Sequence, residues 1–299
     1  MLAKNNIFSM FLCGLYFFIN INLSIIMIFH SGVIKMFLDF PDISPIAISI
    51  GPFDLRWYAL AYLVGIISAW LLTKKNIKKY DIKITDAQLD DLVFYTTLGI
   101  ILGGRIGYVC CYGDGYFWRN PLEIFAVWNG GMSFHGGIVG VILGLLYFCK
   151  KEKFPFLMIT DLVALYVPIG IFLGRIANFI NGELWGRATT VPWAVKFPTG
   201  GYIPRHPSQI YEALSEGVLM FIILNLLWKK EYVRSNYGII SSVFLITYAL
   251  SRIGMELYRE PDAQIGFLWD FITMGQLLSI PFLILGIYIL HKSISKTKL

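Results

Sequence analysis

The chain has 299 residues, of which 57% are hydrophobic and 15% charged, and its mean hydropathy is +0.65. Because soluble globular domains carry about 25% charged residues, this composition predicts an integral membrane protein. The net charge of +6 does not call for nucleic acid, since basic cytoplasmic loops produce the same excess. The four cysteines form no CxxC pair, so we expect neither a disulfide framework nor a zinc site.

Several stretches are apolar enough to cross a bilayer, which takes about 20 residues of helix. They predict an all-α polytopic fold, because none alternates as membrane barrel strands do. The seven predicted transmembrane helices lie at 54–73, 92–112, 132–149, 157–180, 212–228, 238–258 and 271–290.

A further apolar run occupies residues 7–29. It is an extra N-terminal helix, a signal peptide without a recognisable cleavage site, or a stretch upstream of a true start at Met36. We expect residues 1–35 to be a dispensable extension. Residues 36–299 then form a single seven-helix transmembrane domain.

Basic residues between the spans set the orientation, because cytoplasmic loops are rich in lysine and arginine. Lysines cluster after the first, third, fifth and last spans, whereas the loops between are poorer in them. This alternation places the C-terminus in the cytoplasm. The segments 113–131, 181–211 and 259–270 then face outward.

The segment GRIANFINGELWGR, residues 174–187, places charged and amide side chains at the end of an apolar span. Arg175 and Asn178 are three residues apart and share a helix face, and Asn181 and Glu183 follow closely. Charges within a span are costly and usually functional. Arg175 is therefore the strongest candidate for a functional group.

A second polar stripe lies in the sixth span, where Tyr248, Arg252, Glu256 and Arg259 recur at helical spacing. Such a stripe must face other protein or a water-filled cavity. The alternative is that Arg252 merely neutralises Glu256 within one helix. Tyr58 and Tyr62 form another such pair in the first span.

The remaining intramembrane polar groups leave two interpretations open. Arg105 follows two glycines and either binds an anion or bonds to backbone carbonyls. Glu212 and Glu216 lie near a helix N-terminus, where carboxylates are favoured. His135, in GGMSFHGG, is either a proton acceptor at a helix end or incidental to a glycine packing motif.

The set of arginines predicts an anionic ligand, because guanidinium binds phosphate with a fixed fork. A phospholipid headgroup is the simplest anion at that depth, with asparagines and tyrosines bonding its neutral parts and a histidine as base. HExxH, GxSxG and P-loop motifs do not occur in the sequence. An organic-anion transporter or channel and a non-catalytic phospholipid-binding adaptor remain alternatives.

Five segments and their order resemble bacterial prolipoprotein diacylglyceryl transferases, from about Met36 to the last span. TMGQ at 273–276 also resembles a family motif, SMGQ. Ala177 stands where the family usually has glycine. The segments are GGRIGYV at 103–109, GGMSFHGG at 130–137, GRIANFINGELWGR at 174–187, RHPSQIYEAL at 205–214 and RIGMELYREPDAQ at 252–264.

The resemblance implies a multi-pass enzyme of the bacterial inner membrane whose active site faces outward. It implies transfer of the sn-1,2-diacylglyceryl group from phosphatidylglycerol to the lipobox cysteine of prolipoproteins. The products are a thioether and glycerol phosphate. The partners are then the bilayer, phosphatidylglycerol and prolipoprotein signal peptides, without nucleic acid, metal or soluble cofactor.

Residue roles follow from the resemblance. Catalytic roles fall on His135 as base for the thiol, Arg252 as the group that stabilises charge at the phosphate, Glu256 as its partner, and Tyr58. The phosphatidylglycerol-binding set is Arg175 for the phosphate, with Asn178, Asn181, Glu183, Gly186 and Arg105.

Overall fold

The structure is a computed structural model that describes residues 37–295, except 52, 114, 128–129, 262–265 and 269–270. The apolar run at 7–29 and the interpretations attached to it lie outside the described residues. The described chain is mainly helical. Its α-helices are α1 (Trp57–Lys79), α2 (Asp86–Tyr112), α3 (Tyr116–Arg119), α4 (Phe134–Glu152), α5 (Phe156–Ala164), α6 (Val167–Ile180), α7 (Ser208–Trp228), α8 (Glu231–Ser235), α9 (Ile239–Met255) and α10 (Met274–Ser295).

Length and composition identify five described helices that can each cross a membrane, namely α1, α2, α4, α7 and α10. The pair α5 and α6, bent by 41° at its break, makes a sixth if it counts as one span. Helix α9 is apolar but has 17 residues. The protein is thus a helical polytopic chain, and the predicted count of seven spans is not confirmed.

The strands are short and lie between the helices, where no strand was predicted. A mixed sheet has the order β1-β4-β5, with β1 parallel to β4 and β4 antiparallel to β5, and two antiparallel hairpins pair β2 with β3 and β6 with β7. The strands are β1 (Leu38–Asp39), β2 (Ile46–Ile50), β3 (Phe53–Arg56), β4 (Val195–Lys196), β5 (Pro204–Arg205), β6 (Phe267–Leu268) and β7 (Ile272–Thr273). Short 3₁₀ turns occupy Pro121–Phe125 and Pro198–Gly200.

The described chain divides into two compact units. Unit one comprises the described residues up to Gly65, Pro168–Leu226 and Ser242–Tyr288. Unit two comprises Ile66–Val167, Leu227–Ser241 and the described residues from Ile289.

In unit two, helices α2 and α4 pack through rows of glycines spaced four residues apart. A methyl group added to Gly140 would overlap the carbonyl of Gly99 and approach Cα of Gly103 at 2.9 Å. One added to Gly107 would lie 2.7 Å from Cα of Gly136. The helix backbones therefore touch directly, which is the close approach that glycine permits in membrane helices.

The ends of two helices in unit two are fixed by side chains. The Thr85 hydroxyl accepts from the Gln88 amide at 3.2 Å while Gln88 Oε1 accepts from the Thr85 amide at 3.0 Å, a capping box that starts α2. Buried Asp161 accepts from the backbone amides of Gly238 and Ser241, both at 2.7 Å. These amides lie at the start of α9, where helix N–H groups lack intrahelical partners.

In unit one, an apolar core joins the start of α1 to α6 and α7. Trp57 and Ala61 of α1 pack with Ile180 of α6 and Ala213 of α7. This core fixes the orientation of α6 and α7, the two helices that carry many of the polar side chains described below.

Candidate functional site

Arg175, in the second half of α6, is held by two carboxylates of α7. Its Nη1 lies 3.0 Å from Glu212 Oε2, and its Nη2 lies 3.1 Å from Glu216 Oε2. Both glutamate side chains are fully buried, whereas the Arg175 side chain keeps 17% of its surface exposed. The arginine is therefore the member of this group that an incoming ligand can reach.

Glu212 binds two further arginines. Its Oε1 lies 2.8 Å from Nη1 of Arg252 and 3.4 Å from Nη1 of Arg259. A single buried carboxylate thus contacts three guanidinium groups. We call the six-residue set the arginine–glutamate cluster: Arg175, Glu212, Glu216, Arg252, Glu256 and Arg259.

The polar stripe of the sixth predicted span supplies the other half of the cluster. Arg252, in the last turn of α9, pairs with Glu256, and Arg259 Nε lies 3.9 Å from Glu256 Oε1. The predicted pairing of Arg252 with Glu256 is present, but Arg252 also contacts Glu212. The stripe is therefore not a self-contained pair within one helix.

The cluster contains three guanidinium groups and three carboxylates, so its formal charges cancel. Burying charges is costly unless each has good partners, and here each carboxylate contacts at least one arginine. A preassembled group of cations in a low-dielectric site is what stabilises developing negative charge efficiently. The arrangement can thus bind an anion if one carboxylate is displaced from its arginine.

Glu216 has fewer ion pairs among the described residues than Glu212 or Glu256. It lies in Ala213–Leu219, a π-helical segment of α7, and such segments are often found at functional sites. Its Oε1 is buried without a hydrogen-bond partner among the described residues. Glu212 Oε2 also lacks a hydrogen-bond partner among the described residues, but both Glu212 oxygens lie within 3.0 Å of an arginine nitrogen.

The asparagines of the 174–187 segment gather on one carboxylate. Asn178 and Asn181 donate to Glu183 Oε1 at 2.9 and 3.0 Å. Gln209 donates to the Glu183 carbonyl at 2.6 Å. These contacts fix the loop that follows α6, next in sequence to Arg175.

Gly186 occupies a position with no room for a side chain. An added Cβ would lie 2.5 Å from the Tyr258 carbonyl oxygen and 2.6 Å from that of His206. The Gly186 amide donates to the His206 carbonyl at 2.9 Å. Glycine is therefore required here for close backbone approach rather than for its dihedral freedom.

The remaining unit-one candidate is Tyr58, near the start of α1. Its ring lies 5.3 Å from that of Tyr62, which agrees with the predicted i, i+4 pair. Both side chains are partly exposed, at 38% and 47%. Each tyrosine thus keeps part of its side-chain surface open to a ligand.

His206 lies two residues before α7, outside the candidate spans. Its Nδ1 lies 3.1 Å from the Tyr211 hydroxyl, which also accepts from Trp193 Nε1 at 2.6 Å. Its ring lies 5.2 Å from Tyr258. Burial lowers the pKa of His206 from its ordinary value, so this imidazole favours the neutral form.

Arg105, in unit two, is bonded to backbone carbonyls. Its Nε donates to Ile124 at 2.8 Å, its Nη1 to Gly130 at 2.6 Å and Gly131 at 3.2 Å, and its Nη2 to Glu123. This is the structural alternative that the sequence left open. Arg105 thereby fixes the segment between α2 and α4.

A cavity of about 300 Å³ lies beside Arg105. Tyr108, Tyr112, Tyr116 and Phe117 contribute to its lining. The guanidinium group lies over the rings of Tyr108 and Phe117, at 5.8 and 5.3 Å from their centres. Four of the nine lining residues are aromatic, and the Arg105 guanidinium group is already bonded to backbone carbonyls.

His135 is the second residue of α4 and is exposed. Ser133 caps this helix by accepting from the Gly136 amide at 3.2 Å. Gly136 and Gly140 belong to the glycine contact described above. Within GGMSFHGG, the packing interpretation thus holds for Gly136, which lies against Gly103 and Gly107, while the role of His135 stays a prediction.

Three members of the cluster are not among the predicted site residues, namely Glu212, Glu216 and Arg259, although the sequence places Arg259 on the polar stripe of the sixth span. Glu212 and Glu216 were interpreted as carboxylates at a helix N-terminus, because no sequence feature showed their pairing with Arg175. Their spacing of four residues in an apolar span was the available signal.

Comparison with known proteins adds an independent finding. The family described as prolipoprotein diacylglyceryl transferase matches residues 45–292. A protein of Rickettsia felis is 50% identical over 256 residues, which cover 86% of this chain and 99% of the relative. One of Rhodospirillum rubrum is 52% identical over 254 residues, covering 84% and 93%. Both relatives are named phosphatidylglycerol–prolipoprotein diacylglyceryl transferase.

The chain belongs to the prolipoprotein diacylglyceryl transferase family. It is a transferase, and the whole arginine–glutamate cluster lies within the matched region. Ala177 is fully buried and packs with Trp57 and Ile180. The alanine that we expect to replace a family glycine therefore lies in the apolar core of unit one.

Proposed function

We propose that this transferase moves the sn-1,2-diacylglyceryl group of phosphatidylglycerol to the lipobox cysteine of a prolipoprotein, with release of glycerol phosphate. The family membership supports the reaction. The single observation that carries the site is Arg175, a partly exposed arginine in an apolar helix whose ion-pair partners among the described residues are two buried carboxylates.

The lipid phosphate replaces Glu216 on Arg175. Glu216 is the candidate to leave because, among the described residues, only its Oε2 lies within ion-pair distance of an arginine, Arg175, whereas Glu212 contacts arginines through both oxygens. Glu212 stays and keeps the three arginines together. A guanidinium group binds a phosphate with the same fork that it presents to a carboxylate.

The rest of the site surrounds this phosphate. Arg252, oriented by Glu256, stabilises the charge that builds up as the phosphate departs. Tyr58, Asn178 and Asn181 bond the neutral part of the headgroup, with Glu183 holding both asparagines. Arg105 has no direct part in this proposal, because backbone carbonyls occupy its donors.

In the transfer step, the cysteine sulfur attacks the C3 carbon of the diacylglyceryl group. A C–S bond forms as the C–O bond to phosphate breaks, and the bonding electrons leave with glycerol phosphate. A free thiol has a pKa of about 8.5, so removing its proton assists the attack. His135 is the proposed acceptor, and the proton passes on to released phosphate or to water.

The proposed setting is the bacterial inner membrane. Seven spans in a single domain over 36–299 place the C-terminus in the cytoplasm, consistent with the lysine-rich loops. The 181–211 segment then lies on the outer side, where a secreted prolipoprotein and the outer leaflet meet. The five to six spans identified by length and the apolar helix α9 support this arrangement.

The reaction is tested by mass spectrometry of a lipobox peptide incubated with purified protein and phosphatidylglycerol. A diacylglyceryl adduct on the cysteine is expected. An Arg175→Lys variant should lose most of it while remaining folded. A folded wild-type protein that yields no adduct contradicts the proposal and favours a transporter or a lipid-binding adaptor.

A further inference from the structure

The 174–187 segment ends in Arg187, which lies beside the chain that leaves α9. After α6, the backbone turns at Gly182, whose φ is +65°. It then pairs Gly186 with Arg259 in an isolated antiparallel bridge. The Arg187 amide donates to the Tyr258 carbonyl at 2.8 Å. The segment that starts with Arg175 is thus attached to the end of α9.

The Arg187 side chain adds two further hydrogen bonds to the same turn. Its Nε donates to the Arg259 carbonyl at 2.9 Å, and its Nη2 donates to the Glu256 carbonyl at 3.1 Å. Its guanidinium group lies 5.1 Å from the centre of the Phe267 ring. One residue therefore satisfies three carbonyls of the turn after α9.

Two of these three carbonyls belong to cluster residues, Glu256 and Arg259. Helix α9 ends at Met255, so these carbonyls lie in the turn that follows the helix, and donors from outside the helix have to bond them. A cation at this end is also favoured by the helix dipole. Since Glu256 and Arg259 extend their side chains into the cluster, the backbone that Arg187 holds sets where those side chains lie.

We propose that Arg187 is a positioning residue for the transfer reaction, which acts by holding the turn Glu256–Arg259 so that Glu256 orients Arg252. This role rests on the reaction proposed above. Arg187 does not contact the lipid. Its effect reaches the phosphate through Arg252, whose contribution is to the transition state.

A positioning role predicts a particular kinetic pattern. Arg175 supplies most of the binding of the phosphate in the ground state, so loss of Arg187 should leave the KM for phosphatidylglycerol nearly unchanged. Displacing Arg252 by about 1 Å should instead lower kcat, since misplacements of that size cost up to about 100-fold. An interaction made only in the transition state is lost from kcat.

The chain offers a matched control in unit two. Arg234 Nη1 donates to the carbonyls of Trp228 and Lys229, at 2.7 and 2.8 Å, and its guanidinium lies 4.2 Å from the Tyr80 ring. It therefore closes the end of α7 with the same chemistry. Arg234 has no place in the proposed catalytic or binding machinery.

The experiment compares Arg187→Ala, Arg187→Lys and Arg234→Ala with wild type, using purified protein, phosphatidylglycerol and a lipobox peptide. Arg187→Ala should lower kcat by about 10- to 100-fold and change KM for the lipid by less than about threefold. Added guanidinium ion should restore part of the lost kcat. The kcat of Arg187→Lys should lie between those of wild type and Arg187→Ala. Arg234→Ala should keep the wild-type kcat while its thermal midpoint falls.

Three results overturn the proposal: an unchanged kcat in Arg187→Ala, a loss confined to KM, or a loss that Arg234→Ala matches at equal thermal destabilisation. If Arg187→Ala does not fold, Arg187→Lys decides the question by its kcat and by rescue with guanidinium ion. Activity of the wild-type protein in the same assay separates this question from that of the reaction itself.

Discussion

Two arginines follow a glycine inside apolar helices, and their surroundings are opposite. Arg105 donates to four backbone carbonyls, whereas Arg175 is paired with the side chains of Glu212 and Glu216. Backbone carbonyls cannot move away without unfolding the segment that carries them, but a carboxylate side chain can rotate out. An arginine held by carboxylates is therefore the one that can exchange its partner for a phosphate.

The same contrast extends to the glycines of the two regions. Between α2 and α4, glycines let two helix backbones touch, which is a packing function. At Gly186 the backbone approaches the carbonyls of His206 and Tyr258, which joins the loop after α6 to the end of α9. Close approach serves stability in one region and the geometry of the site in the other.

The largest effect should come from exchanging the two arginines for lysine. Arg175→Lys loses the fork that holds phosphate, and kcat/KM should fall by about 100- to 1,000-fold. Arg105→Lys should lower the thermal midpoint, because carbonyls lose their donors, and leave the kcat/KM of the folded fraction within about threefold. Steady-state kinetics and thermal melts in detergent measure both. Equal kinetic losses would remove the distinction between the two sites.

Neutralising Glu212 should have the next largest effect. Glu212→Gln leaves three buried arginines with too little negative charge, and breaking a buried ion pair costs about 3–5 kcal/mol. Both the thermal midpoint and kcat/KM should fall. Glu152→Gln, which alters a carboxylate bonded to Gln88 in unit two, serves as control. A Glu212 variant as stable as this control would show that the cluster does not depend on its central carboxylate.

The glycine contact should respond only in stability. Gly140→Ala would force α2 and α4 apart, at a cost of about 1–3 kcal/mol. Gly137→Ala, on the same helix with the nearest heavy atom at 3.9 Å, should be nearly neutral. Thermal melts of the two variants test this difference in stability. Equal midpoints would mean that the helices do not pack as described.

The smallest predicted effect is on the pH dependence of thermal stability. Because burial lowers the pKa of His206, the unfolded chain takes up a proton first as the pH falls below about 6.5, and stability decreases there. Above that pH both states are neutral and the effect vanishes. His206→Gln should therefore flatten the fall in thermal midpoint between about pH 7 and 5. The same slope in His206→Gln and in a His291→Gln control would contradict this.

Helical periodicity accounts for what the sequence could predict of the site. The spacing of Arg175 and Asn178, and of Arg252 and Glu256, placed each pair on one face. The contact between α6 and α7 that joins Arg175 to Glu212 is tertiary, so no local pattern contained it. Apolar composition likewise predicted the helices, while the short strands outside them depend on backbone pairing between distant segments.

The central claim is that phosphate takes the place of Glu216 on Arg175, and the most direct test is lipid affinity. Native mass spectrometry can measure the Kd for phosphatidylglycerol of wild type and of Glu216→Gln, a substitution of nearly equal size. The exchange predicts tighter binding by the variant, because a competing carboxylate has been removed and Arg175 keeps its other contacts. Weaker binding would show that Glu216 supports the lipid site and would contradict the exchange.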